Sequence, residues 1–153
     1  MLHTILSQWQ PFLAVFFLLL FWLWETAAPF FARDRRVKHA ARNLIVSAVN
    51  GVVIAFVFAG IMVTVADYTE RHQLGFLHLL GLTGTAQFIA AFLLVDIWTY
   101  WWHRFNHIVP FLWRFHRMHH SDPEMDVTTA TRFHVGEIIL SSIIKLVLIP
   151  IIG

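Results

Sequence analysis

Residues 96–120 read DIWTYWWHRFNHIVPFLWRFHRMHH, and the fold of the chain turns on this stretch. Five histidines stand in it, at 103, 107, 116, 119 and 120. His103 and His107 form H-x-x-x-H; His116, His119 and His120 form H-x-x-H-H. At about 100° per residue, positions three or four apart share one face of a helix. Asp96, Tyr100, His103 and His107 then occupy a sector of about 60° on one helix. His116, His119 and His120 cluster on one side of the next. Pro110 lies between the boxes, lacks a backbone donor and disfavours helix at Val109, so the chain should turn there. Two helices joined at a proline turn can face each other and bring five imidazoles to one place.

The same stretch begins inside an apolar run, and the reading widens from there to a membrane protein. Of the 153 residues, 58% are hydrophobic and 13% charged, with mean hydropathy +0.67. A soluble domain carries about 25% charge, so a soluble enzyme, a disordered tail and a nucleic-acid binder are all excluded as expectations. A bilayer core takes roughly 20 apolar residues per helix. Residues 9–24, 44–66, 86–102 and 135–152 are read as four such spans, the third holding Asp96 and the fourth Glu137 and Lys145. Residues 73–85, broken by Gly75, Gly81 and Gly84, are read as interfacial or re-entrant.

Charge orients the spans. Arg33, Arg35, Arg36, Lys38 and Arg42 follow the first, and Arg104, Arg114, Arg117 and Arg132 follow the third; after the second stands only Arg71. Nine basic residues against one place the first and third loops in the cytoplasm, with the histidine boxes (103–120) beside them. Trp22, Trp24, Trp98, Tyr100, Trp101 and Trp102 suit an aromatic belt on that face. No Lys or Arg precedes the first apolar run, which argues against a cleaved leader and for a retained helix. The expected fold is therefore all-α, a polytopic set of transmembrane helices with a cytoplasmic histidine-rich helical region.

With no cysteine in the chain, thiolate zinc, iron–sulfur and disulfide chemistry are excluded. A transition metal here is held by imidazole, with carboxylate as the other donor, which suits iron, zinc, copper or nickel. Basic residues at a membrane edge are ordinarily Arg and Lys meeting lipid phosphates. That explains Arg104, Arg114 and Arg117 but not imidazoles at helical spacing. Asp96, a charge inside a span, needs a partner. It is placed to accept a hydrogen bond from the second nitrogen of a metal-bound histidine, as is Tyr100; the plainer alternative is a polar contact between helices. His134 is read as support for the site, with direct ligation as the alternative. His3, His39, His72 and His78 are read as solvated or interfacial.

The two boxes, with the acid and tyrosine ahead of them, resemble the fatty acid hydroxylase (sterol desaturase) superfamily, whose signature begins D-x-x-x-Y-x-x-H-R-x-x-x-H. Asp96, Tyr100, His103, Arg104 and His107 match it, and His116, His119 and His120 meet its H-x-x-H-H. Residues 119–137, HHSDPEMDVTTATRFHVGE, are similar to bacterial members, although Val135 stands where members often have proline. The resemblance is dense from about residue 90 to 140 and implies an integral-membrane oxygenase with two non-haem iron ions. By it, His103, His107, His116, His119 and His120 are metal ligands. Molecular oxygen and electrons from a separate transfer protein would serve to hydroxylate or desaturate a C–H bond of a membrane lipid. The bacterial inner membrane is the favoured location and the endoplasmic reticulum the alternative. Members carry a third histidine cluster after further membrane helices, so this chain is read as an N-terminal portion lacking it.

Other classes fit less well. A metal transporter needs polar residues along several spans, and only Asp96, Glu137 and Lys145 are available. A bis-histidine haem protein needs histidines on facing helices at membrane depth. A truncated, inactive relative or metal-binding membrane scaffold stays as the alternative to an enzyme. H-E-x-x-H, E-x-x-H, G-x-S-x-G and the Walker and Rossmann glycine patterns are missing, which removes zincins, ferritin-like bundles, hydrolase elbows and nucleotide sites.

Overall fold

Apolar runs long enough to span a bilayer must satisfy their own backbone groups, and helices do so. The computed structural model describes residues 2–29 and 35–153, and side chains from residue 12 onward. Arg33 and the side chains at the start of the first expected span lie outside the described residues. The described chain contains helices and no strand. Helix α1 covers Leu2–Ala27, α2 Arg36–Val53, α3 Ala59–Arg71, α4 Phe76–Leu79, α5 Gly84–Ile108, α6 Pro110–His120 and α7 Val135–Ile152. A π turn, Ile54–Phe58, joins α2 to α3 without a break, and a 3₁₀ turn covers Val127–Thr131.

Two segments among the described residues have the length and hydropathy of a membrane span. They are Arg36–Leu79 and Val135–Ile152, at mean hydropathy 2.5 and 2.2. Phe12–Ala27 is apolar but shorter, and α5 is not in this class. The second expected span is longer than expected, because α2 begins at Arg36 and carries Arg36, Lys38 and Arg42 inside the helix rather than in a loop. The glycine-broken segment forms the short α4, between Gln73 (φ 51°) and Gly75 (φ 102°) on one side and Gly81 (φ 66°) on the other. A Cβ on Gly75 would lie 2.5 Å from the backbone of Gly153, so only glycine allows the end of α7 to close on this turn.

The packing is turned inside out relative to a soluble domain. Among the described residues three apolar ones (Ala40, Phe58, Leu77) are buried, against eleven polar or charged ones. Large apolar side chains face outward instead, Phe56 being 87% exposed. A surface of that kind is stable against lipid or further helices, not against water. α5 and α7 touch where Trp102 Nε1 donates to Ser141 Oγ at 2.8 Å. α3 packs on α7, and α2 packs on the segment after α6.

The break between α5 and α6 falls where Pro110 puts it. Val109 is extended (φ −90°, ψ 114°) and Pro110 is the first residue of α6, a position where the missing N–H costs nothing. α5 runs past the third apolar stretch through His103 and His107 to Ile108, so both boxes stand at the ends of packed helices.

Candidate metal centre

Four imidazoles converge. One nitrogen from each of His103, His107, His116 and His120 lies within 4.8 Å of the other three. His103 Nε2 and His107 Nε2, one turn apart on α5, are 3.1 Å apart; His116 Nε2 and His120 Nε2, one turn apart on α6, are 3.2 Å apart. The two pairs face across the proline turn, with ring centroids 4.7 Å apart for His103–His116 and for His107–His120.

These spacings fit a metal ion. A metal–nitrogen bond of about 2.1 Å puts neighbouring donors roughly 3.0 to 3.4 Å apart. The two short pairs have that spacing, with no acid among the four donors. Three of the imidazoles, His103, His116 and His120, are biased towards the neutral form. Burial, and then the neighbouring imidazoles His103, His107, His120 and His119, push His116 down to about 4. His103 and His120 are lowered for the same reasons, burial first. Neutral imidazole is the form that binds a metal.

His116 is fully buried and its second nitrogen has a partner. Nδ1 donates to Oε1 of Glu137, in the first turn of α7, at 2.9 Å. A neutral ring protonated at Nδ1 keeps its lone pair at Nε2, facing the other imidazoles. The other carboxylate oxygen of Glu137, Oε2, is buried and has no hydrogen-bond partner among the described residues. Sequence reasoning gave this supporting place to Asp96 and missed Glu137. Asp96 instead lies on an exposed face of α5 with no hydrogen-bond partner among the described residues, and Tyr100, 61% exposed, sets its ring edge against Trp101. The physical reason is the turn at Val109: it brings α6 against α7, so the carboxylate that reaches a histidine comes from α7.

His119 and His134 stand apart from the four. The His119 ring lies 5.6 Å from that of His116 and stacks on Phe133 at 4.8 Å, with its Nδ1 buried and unpartnered among the described residues. His134 caps α7, its Nδ1 accepting from Gly136 N at 2.9 Å. That bond occupies one of its two ring nitrogens. Of the histidines without an expected role, His72 stacks on Tyr68 and His78 bonds Leu74 O and approaches Glu70.

His39 is the exception among them, buried rather than solvated. Its Nε2 lies 2.8 and 2.9 Å from the two oxygens of Asp122, and its Nδ1 3.1 Å from Asp126 Oδ2. A carboxylate on each nitrogen favours donation from both and so favours the imidazolium form. Burial lowers its pKa, but the hydrogen bonds and charges of Asp122 and Asp126 outweigh that and raise it. Burial likewise opposes ionisation of Asp122, yet hydrogen bonds from Thr129, His39, Glu124 N and Asn43 hold it well below the usual carboxylate range.

Residues 88–153, which contain every residue of the cluster, match the fatty acid hydroxylase family. The chain is similar to alkylglycerol monooxygenase of Danio rerio, 48% identical over 47 residues, and to that of Homo sapiens, 43% identical over 52. The aligned segments are 31% and 34% of this chain and 10% and 12% of those proteins, so the chain spans about a tenth of the length of the curated relatives it matches. No solved structure matches it.

Proposed function

We propose that this chain carries part of the active centre of a membrane-bound oxidoreductase that hydroxylates or desaturates a lipid, with iron held by His103, His107, His116 and His120. The observation that carries the reading is the convergence of four imidazole nitrogens within 4.8 Å where α5 meets α6, in the segment that matches a hydroxylase family. No side chain breaks an unactivated C–H bond by itself; iron bound here would supply that redox chemistry with molecular oxygen as co-substrate. Four nitrogen donors leave positions open on an ion that takes six.

The protein's own residues have separable tasks in this reading. His103 and His107 offer one pair of nitrogens from α5, and His116 and His120 a second pair from α6. Glu137 holds the His116 tautomer, and His134 starts α7 so that Glu137 faces His116. His119, placed beside the four on Phe133, is the donor for a second iron, whose remaining ligands lie elsewhere than in the four-imidazole set. Residues 9–24, 44–66, 86–102 and 135–152 cross the bilayer, with the boxes on the cytoplasmic side of a bacterial inner membrane in preference to the endoplasmic reticulum. A lipid tail lying in the bilayer then meets the boxes at the helix ends. The relatives' name, alkylglycerol monooxygenase, makes a glycerol-based lipid the first substrate to try. Electrons come from a separate acidic carrier docking on Arg114 and Arg117.

The test is metal analysis of the purified chain in detergent after anaerobic loading with Fe(II). The expected result is at least one iron per chain, lost on His103→Ala or His116→Ala. Failure to take up iron overturns the assignment. A second reading, a metal-binding membrane scaffold, is favoured by the completeness of the four-imidazole set, since four protein donors make a closed tetrahedral zinc site. Tight zinc binding with no uptake of Fe(II) would select it.

A further inference from the structure

α2 lies outside the family-matched segment, yet it presents one polar stripe to the segment that follows the second histidine box. His39, Asn43 and Asn50 fall within a sector of about 40° on a helix, and all three are buried. Buried polar groups at a membrane protein's interior are expensive unless fully paired, and these are paired to two particular points. His39 and Asn43 hold Asp122, two residues after His120, with Asn43 Nδ2 donating to Asp122 Oδ2 at 3.2 Å and to Thr128 Oγ1 at 3.0 Å. Asn50 Nδ2 donates to the carbonyl of Phe133 at 2.9 Å, and the Phe133 ring is the one that stacks on His119. One helix face thus grips both ends of residues 122–133, immediately beside His119 and His120.

The grip is reinforced from within that segment. Thr129 Oγ1 donates to Asp122 Oδ2 at 2.7 Å and accepts from Asp126 N at 3.1 Å, and Asp126 Oδ1 accepts from Thr128 N at 2.8 Å. Asp122 is the centre, with the His39 ring, the Asn43 amide, Thr129 and the Glu124 N–H all donating to it. At the C-terminal end of α6 Ser121 Oγ donates back to Met118 O at 2.9 Å, and the chain passes directly from there to Asp122. Only Ser121 separates His120 from the point at which Asp122 is held.

We propose that His39, acting through Asp122, is a positioning residue for the second histidine box. The proposal rests on reading the imidazole cluster as a metal site. In it, a residue some eighty positions away in the chain fixes the donor angle of His120 and the backing of His119 without touching a metal. Replacing His39 by Gln keeps at most a single hydrogen bond from position 39 to Asp122 and removes the bond to Asp126. α6 then gains freedom at its last turn, which spreads the four donors.

The experiment titrates Co(II) into the purified full chain in detergent and records the ligand-field bands. His39→Gln is expected to weaken cobalt binding by about tenfold to a hundredfold, the range for residues that orient ligands, and to shift the bands. Thr129→Val, which removes one donor from Asp122 with little change of shape, is expected to move both in the same direction by less, and it keeps the test open if the Gln variant does not fold. Phe58→Leu, in the π turn, is the control matched to His39→Gln in melting temperature and is expected to leave affinity and bands unchanged. Wild-type affinity and bands in both polar variants, or the same shift in Phe58→Leu, overturn the positioning role while the metal reading stands. A wild-type chain that takes up no cobalt overturns the metal reading and this inference with it.

Discussion

Nδ1 of His116 and Oε1 of Glu137 are 2.9 Å apart, and this bond ties the second histidine box to the first turn of α7. Both residues are buried, so water cannot replace the partner if either is removed. Glutamine at 137 keeps an acceptor for the Nδ1 proton; leucine does not. We predict that Glu137→Gln retains metal with a modest loss of affinity, whereas Glu137→Leu loses about ten- to a hundredfold. Cobalt titration of the two variants checks it, and equal affinities for both would show that the bond does not orient His116.

Removing a donor should matter in proportion to its place in the cluster. His103, His107, His116 and His120 share one set of distances, while His119 leans on Phe133 outside it. Alanine at any of the four is expected to abolish tight uptake of the first ion, and His119→Ala to leave that ion bound. Metal content per chain, measured for all five variants, separates the two groups. Loss of the first ion in His119→Ala would place His119 inside that coordination set.

The pH dependence of the metal-free protein follows from the depressed imidazoles. Burial, then the surrounding imidazoles, holds His116 at about 4 against an ordinary 6.5. Between those values the unfolded chain binds the proton that the native chain refuses. Stability therefore falls as pH drops from 6.5 towards 4, since unfolding then takes up protons. The shifts of His103 and His120 have the same sign. Melting of the metal-free protein across this window, compared with His116→Asn, should show a steeper acid loss in the wild type. Parallel curves would contradict it.

How far the site could be read ahead of the structure depends on the range of each interaction. The stripe His103–His107 and the pair His116–His120 were legible because helical period acts over a single turn, and Pro110 told where one helix had to stop. The helices themselves were legible from apolar run length, although α2 extends eight residues before the expected start of its span, because its first turns bury polar side chains instead of lipid-facing ones. Glu137 was missed as a partner because it sits on a separate helix, and periodicity says nothing about which helices touch. A signal was there, in an acid at the start of an apolar helix directly after a histidine. His39 was missed for a stronger reason, since its bonds to Asp122 and Asp126 cross more than eighty residues and nothing local marks it. The π turn at Ile54–Phe58 left no trace in composition.

Gly136 tests how tightly α6 and α7 must approach for the His116–Glu137 bond to form. A Cβ there would lie 2.8 Å from two atoms of the Phe115 ring and 3.1 Å from His134 Nδ1. Phe115 is itself packed against Phe111 and His134, so the ring cannot simply swing away. Gly136→Ala is predicted to destabilise by about 1–3 kcal/mol through overpacking and to weaken metal binding, because the helices must part next to His116. A lower melting temperature together with weaker cobalt binding is the expected pair of results. Wild-type values for both would show that Phe115 relaxes and that the helix approach is not limiting.

The face of α6 turned away from the cluster offers the last prediction. Arg114, Arg117, Met118 and Ser121 recur at helical spacing there, and with His134 they line a cavity of about 420 Å³ that contains no acidic side chain. An acidic electron carrier meeting two exposed arginines gains association rate more than affinity, and salt screens that gain. Arg114→Glu with Arg117→Glu is therefore expected to slow electron delivery at low ionic strength and to bring the rate close to the high-salt rate of the wild type. Metal content should not change, since neither arginine belongs to the imidazole set. Stopped-flow reduction of the iron-loaded protein at two salt concentrations measures it. Unchanged rates at low salt would reject this face as the docking surface, whatever the imidazole cluster does.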